Sequence, residues 1–171
     1  MNVRVILLIV LSATIFYKAS EFTRGRKSSA ILASVQRSQM GNEEYGIPNN
    51  CMDKKYCITV FVAPWCLACK SSEATFRMLN EYISKNRTEI GFGLVMGAGS
   101  AEQNEAEKTV LAPLEVTLDN SGEIFKNRGI KAFPTWIVND KTGREKFNKA
   151  GGLNVTDMSQ IPQLLTQQLK L

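Results

Sequence analysis

The unbroken apolar and β-branched run Cys57-Ile58-Thr59-Val60-Phe61-Val62 is cut by Ala63-Pro64-Trp65 and followed at once by Cys66-Leu67-Ala68-Cys69. Such a run predicts a strand buried on both faces. From Cys66 to about Lys85 the pattern turns helical, with Phe76, Leu79, Tyr82 and Ile83 at three- and four-residue spacings. Two cysteines that end a strand and open a helix bring both sulfurs to the helix's first turn. The free N–H groups and the helix dipole there stabilise a thiolate. Cys66, first and at the exposed tip, is the candidate nucleophile for a substrate disulfide. Cys69, one turn in and more buried, is the candidate resolving thiol. Trp65 flanks the pair.

A CxxC spacing also suits half of a zinc site or a structural bridge. The chain has four cysteines and no histidine, so a zinc centre would need all four thiolates. Cys57 and Cys66 bracket an extended strand, and nine steps of ~3.3 Å separate them by about 25–30 Å. The two pairs are therefore expected at opposite ends of a sheet, and no metal or other cofactor is expected. Cys51 and Cys57 should pair with each other if they pair at all. A structural disulfide tying the domain's start to its first strand is the favoured reading, with a second redox relay and free thiols as the others. The absence of histidine also removes Ser-His-Asp and Cys-His catalysis.

Downstream, Ile90–Met96 reads as a second strand, 101–111 as a helix, 114–118 as a third strand and 122–127 as a short helix. Thr135–Asn139 is another strand. Asp140-Lys141-Thr142-Gly143 reads as a hairpin turn into a strand over 144–148, before a final helix over about 159–169. Strand–helix alternation ending in a hairpin and a helix predicts an α/β domain whose mixed central sheet is covered by helices on both faces.

The charge is not spread evenly. Of 21 Lys and Arg against 16 Asp and Glu, six bases and one acid fall in residues 1–40, leaving 15 of each beyond. The globular part is neutral, which argues against a nucleic-acid surface. A basic stretch beside an apolar segment suits anionic lipid headgroups. Val5–Tyr17 carries no charge and as a helix reaches about 20 Å, short of a hydrocarbon core of roughly 30 Å. Residues 1–20 are expected to be a signal anchor or signal peptide. Cleavage after Ala19 or Ser20 would leave Tyr17 or Lys18 at −3, so an uncleaved anchor is favoured, with a cleaved, secreted form as the alternative. Residues 21–50 read as a polar basic linker and 51–171 as the domain. The basic residues after the apolar run favour a cytoplasmic domain; the second cysteine pair favours an oxidising compartment. The extracytoplasmic side, periplasmic or cell-surface, is preferred.

Val60-Phe61-Val62-Ala63-Pro64-Trp65-Cys66-Leu67-Ala68-Cys69-Lys70 resembles the active-site segment of thioredoxins, and Gly129-Ile130-Lys131-Ala132-Phe133-Pro134-Thr135 resembles their cis-proline loop. The resemblance implies a thioredoxin fold with a cis Pro134 facing the CxxC and the Phe133 backbone presented to a substrate peptide. Cys66 and Pro134 are 68 positions apart, longer than in a minimal thioredoxin, and residues 97–118 supply an extra helix and strand before the loop. Leu118-Asp119-Asn120-Ser121-Gly122-Glu123 and Val138-Asn139-Asp140-Lys141-Thr142-Gly143-Arg144 look like the matching stretches of membrane-anchored TlpA/ResA-type thioredoxins. That group reduces disulfides outside the cytoplasm, including those of apocytochrome c.

The implied activity is thiol–disulfide exchange with protein substrates carrying cysteines or disulfides, supplied with electrons by a membrane or soluble thiol donor. The readings beside it are an oxidising disulfide-forming protein and a non-catalytic thioredoxin-like binding or chaperone module. Three positions depart from the family pattern. Val60 stands where thioredoxins bury an acid, Ala74 where a proline kinks the active-site helix, and Ser72 where the anchored group often has glutamate. Glu73, one residue on, is the candidate proton acceptor for Cys69.

Overall fold

The computed structural model describes residues 46–153 and 155–171, all within one unit of the chain, Asn42–Leu171. The N-terminal apolar segment and most of the basic linker lie outside the described residues. Five strands form one mixed sheet in the order β3-β2-β1-β4-β5. They are β1 Tyr56–Val62, β2 Ile90–Gly97, β3 Val116–Asp119, β4 Thr135–Asp140 and β5 Glu145–Ala150. β1 runs parallel to β2 and antiparallel to β4; β3 adds to β2 in parallel, and β5 to β4 as a hairpin. β1 therefore sits at the centre, and every residue after Tyr56 in it is buried, as its unbroken apolar run demands.

Alternation along the strands divides the core between the two faces. Ile58, Val60, Val62, Leu94 and Trp136 belong to one apolar cluster, and Phe61, Val95 and Ile137 to the other. The first face is covered by α2, Glu73–Asn86, which buries Phe76, Leu79 and Ile83. It is also covered by Leu111 of α3, Ala101–Leu111, and by the C-terminal helical stretch. The second is covered by α4, Glu123–Asn127, through Ile124 and Phe125. α3 and β3 form the helix–strand insertion before the proline loop. α3 starts in a capping box in which Ser100 and Gln103 exchange side-chain and backbone bonds, satisfying two otherwise orphaned N–H groups.

Three local differences separate the structure from the sequence expectation, and the first two have visible causes. The helix expected over 66–85 is broken at Ser72 into α1, Leu67–Ser71, and α2. The Ser71 and Ser72 hydroxyls both donate to the Ala68 carbonyl, at 3.0 and 2.9 Å. Back-bonding of this kind competes with the helix ladder and bends it, so the break occurs with Ala74 in the proline position. The third strand starts at Val116 rather than 114. The chain turns first through a cis Ala112–Pro113 bond, and the Leu114 N–H bonds back to Leu111. The final helix is composite: a 3₁₀ turn Met158–Gln160, one α turn Ile161–Gln163 and a π stretch Leu164–Gln168.

Packing also begins before residue 51. Pro48 lies where a Cβ on Gly93 would come within 2.6 Å of it, and a Cβ on Gly91 would meet the Cys51 Cα at the same distance. Glycine in a buried strand marks this close approach of another backbone. Two side-chain-less positions on one face of β2 let 48–51 lie flat on the sheet.

Candidate active site at the end of the central strand

β1 delivers the chain to the site, and Cys66 is the N-cap of α1. The Cys69 N–H donates to the Cys66 Sγ at 3.0 Å as well as to the Cys66 carbonyl at 3.1 Å, so an N–H of the helix's first turn points at the sulfur of the candidate nucleophile. Cys66 and Cys69 are joined by a disulfide, with Cα atoms 5.2 Å apart. Both are buried, at 5% and 6% exposure. The expectation of an exposed Cys66 and a more buried Cys69 is thus corrected for the oxidised form. The neighbours Trp65 and Leu67, at 62% and 80% exposure, form the protruding tip instead.

Trp65 is held in place by structure that the sequence does not announce. Its Nε1 donates to the Ala98 carbonyl at 2.6 Å, in the loop after β2, where Ala98 has a left-handed φ of 59°. Its ring meets Phe133 edge-on at 5.6 Å, and Phe133 leans on Phe125 at 5.3 Å. Phe125 in turn packs on Phe61 of β1. This aromatic chain ties the 129–135 loop to the site and both to the core. The Phe133–Pro134 bond is cis. Pro134 is buried and its carbonyl accepts from the Gly151 N–H at 2.8 Å, while Thr135 Oγ1 donates to the Ala132 carbonyl at 2.7 Å.

Glu73 and Cys69 line the same small cleft. The Glu73 carboxylate is already engaged, accepting from Arg77 Nη2 at 2.7 Å and Nε at 3.0 Å. Arg77 also donates to the carbonyls of Val110 and Ala112, at 2.8 Å each. It thereby clamps the end of the inserted helix to α2. That role was not read from the sequence; the only signal was an i, i+4 acid–base spacing. Lys70 lines the cleft as well.

Cys51 and Cys57 are joined by a second disulfide, with Cα atoms 5.2 Å apart. Cys57 lies at the opposite end of β1 from Cys66, and its Sγ sits 3.4 Å from the Thr59 hydroxyl. The bond ties the 3₁₀ turn Asn49–Cys51 to the central strand. Among the described residues no group of three or more His, Cys, Asp or Glu side chains is placed to hold a metal ion.

The architecture is a thioredoxin fold, and solved structures resemble it at that level. The StoA protein of Bacillus subtilis is 20% identical, with a TM-score of 0.51 over 65% of this chain and 82% of that one. The exposed lipoprotein thioredoxin Etrx1 of Streptococcus pneumoniae is 21% identical, with a TM-score of 0.51 over 68% and 87%. A thiol:disulfide interchange protein DsbE of Chlorobium tepidum, so described provisionally, is 23% identical, with a TM-score of 0.51 over 70% and 81%. At these identities the likeness is one of fold. No family model matches the chain, and no curated protein matches it in sequence.

Proposed function

We propose that this protein is a thiol–disulfide oxidoreductase that reduces disulfides of protein substrates, with Cys66 as nucleophile and Cys69 as resolving thiol. The observation that carries the reading is the Cys69 N–H directed at the Cys66 Sγ at the start of α1. A donor fixed there favours the thiolate over the thiol, the state that attacks a disulfide. Trp65 and Leu67 offer an apolar landing surface beside it. The Phe133-Pro134 loop, tied to Trp65 by ring contact, would pair with the substrate backbone. Cys51–Cys57 acts as a structural bond.

In this reading residues 1–20 anchor the chain, 21–50 link it to the domain and the domain works outside the cytoplasm. The second disulfide and the lipoprotein nature of one fold neighbour support the side, and the basic composition of residues 1–40 suits contact with anionic headgroups. Among the described residues no helix is long and apolar enough to cross a membrane, so anchoring would fall to residues outside them. Electrons come from a membrane or soluble thiol donor, and apocytochrome c is one candidate substrate.

Insulin reduction by the dithiothreitol-coupled turbidity assay tests the chemistry. The wild-type chain should accelerate precipitation and Cys66→Ser should fall to the uncatalysed rate. Activity surviving that substitution overturns the mechanism, and no activity in the wild type turns the reading to a non-catalytic binding module. Equilibration of the Cys66–Cys69 pair against glutathione separates a reductant from an oxidant.

A further inference from the structure

Resolution of the mixed disulfide requires Cys69 to lose a proton, and three features of the site make the acceptor a real question. Cys69 is 6% exposed, and burial in apolar surroundings disfavours a thiolate. The strand position that would carry an acid is Val60, fully buried in the apolar cluster. Glu73, the nearest acid in sequence, already spends its carboxylate on the Arg77 guanidinium.

The inserted helix supplies another carboxylate. On α3, Asn104 and Leu111 are both buried, and Glu107 lies three residues after the first and four before the second, on the same inward row. An apolar residue is the expected occupant of such a position. Glu107 is instead half-buried there and lines the cleft together with Cys69. Among the described residues no ion pair or hydrogen bond holds its carboxylate; Lys108, beside it, pairs with Glu105. The charged groups facing the cleft are Lys70 from α1, Glu73 from α2 with Arg77 behind it, and Glu107 from α3, while Val62 and Met96 close its floor from the sheet. The space open to water in the cleft is about 10 Å³, room for about one molecule. A general base can act through a single intervening water.

We infer that Glu107 is the proton acceptor for Cys69 in dithiol exchange. The inference rests on the function proposed above and deepens it. The Cys66 thiolate attacks the substrate disulfide, forming a mixed disulfide and releasing one substrate thiolate. The Cys69 thiol passes its proton across the cleft to the Glu107 carboxylate. The Cys69 thiolate then attacks the Cys66 sulfur, closing the Cys66–Cys69 bond and releasing the second substrate thiolate. That thiolate takes up the proton as Glu107 returns to its ionised form. Two electrons pass from the protein dithiol to the substrate disulfide.

Two measurements on the full chain test this. In a reduced Cys66→Ser background, the alkylation rate of Cys69 by iodoacetamide is followed against pH, with and without Glu107→Gln. Loss of a facing negative charge should lower the Cys69 midpoint by about one unit. In the otherwise wild-type chain, single-turnover oxidation by glutathione disulfide is followed by acid quench and mass spectrometry, which resolves the glutathionyl intermediate from the disulfide. Glu107→Gln should slow closure of the disulfide at least about tenfold at neutral pH. The gap should narrow as pH rises, Glu107→Asp should restore part of the rate, and Glu73→Gln should have the smaller effect. Unaltered closure kinetics in Glu107→Gln, or full slowing by Glu73→Gln alone, overturns the inference. A wild-type chain that forms no mixed disulfide refutes the parent function instead, and the alkylation titration then still decides whether Glu107 and Cys69 are coupled.

Discussion

The two disulfides of this protein have equal Cα separations, 5.2 Å, and nearly equal burial, from 5% to 7% exposure across the four cysteines. What differs is what each sulfur faces. The Cys66 Sγ faces a helix N–H, with an exposed indole beside it and a water-sized cleft behind its partner. The Cys51 Sγ lies where even a methyl group on Gly91 would come within 2.8 Å, and the Cys57 Sγ has the Thr59 hydroxyl. Burial alone does not set the two disulfides apart. The stabilisation awaiting the reduced sulfur does, because it sets both thiolate population and redox poise.

The largest effect that would break this comparison is loss of turnover at the wrong end. Cys66→Ser should abolish insulin reduction, while the double variant Cys51→Ser/Cys57→Ser should keep it within a few-fold. In a graded dithiothreitol titration followed by alkylation and mass spectrometry, Cys66 and Cys69 should be modified first. Comparable loss of activity in both variants would make the second bond part of a relay.

Stability should show the opposite ranking. Removing Cys51–Cys57 should cost about 2–4 kcal/mol in urea unfolding of the chain, and removing Cys66–Cys69 less, since it closes the shorter loop. A smaller effect, on the same end, comes from Glu115. Its carboxylate accepts from the backbone N–H groups of Asn49 and Asn50 and so fixes the turn that carries Cys51. Glu115→Gln should lower stability by about 1–2 kcal/mol and leave insulin reduction unchanged.

The smallest effect is a pH dependence near the Cys51–Cys57 bond. Asp140 lines the same basin as Cys51 and Cys57. The Thr142 hydroxyl, helped by the Thr142 and Arg144 N–H groups and by Lys146, lowers its pKa from 3.8. A carboxyl depressed on folding stabilises the native state above its unfolded value, and this is lost as pH falls through the lower folded value. Thr142→Val should therefore flatten the acid side of a stability–pH profile measured by urea midpoints, with no effect on turnover at neutral pH.

Much of the frame was legible because its signals are local. The buried run 57–62, the alternation of strands with helices, the Asp140–Gly143 turn and the strand-to-helix placement of Cys66 and Cys69 all follow from periodicity and from turn and cap chemistry. The pairing of Cys51 with Cys57 followed from how far a strand carries the chain. The break at Ser72 was half legible: two adjacent serines are visible, but their joint claim on the Ala68 carbonyl emerges only in three dimensions. The close seat of Pro48 and Cys51 on Gly93 and Gly91 was missed because close backbone approach leaves only glycines as its trace.

By itself, then, the order of residues determined the strand–dithiol–helix unit, the two cysteine pairs and the proline loop that resembles a known one. Tertiary structure alone decided the burial of Cys66. It also decided the capture of Trp65 by the Ala98 carbonyl, the clamp of Arg77 on the Val110 and Ala112 carbonyls, and the placing of Glu107 and Cys69 on one cleft. The physical reason is distance along the chain. Hydrophobic period, capping and thiolate stabilisation at a helix start act over a few residues, whereas the partners of Trp65 and Cys69 come from segments over 30 positions away and meet only when the sheet is assembled.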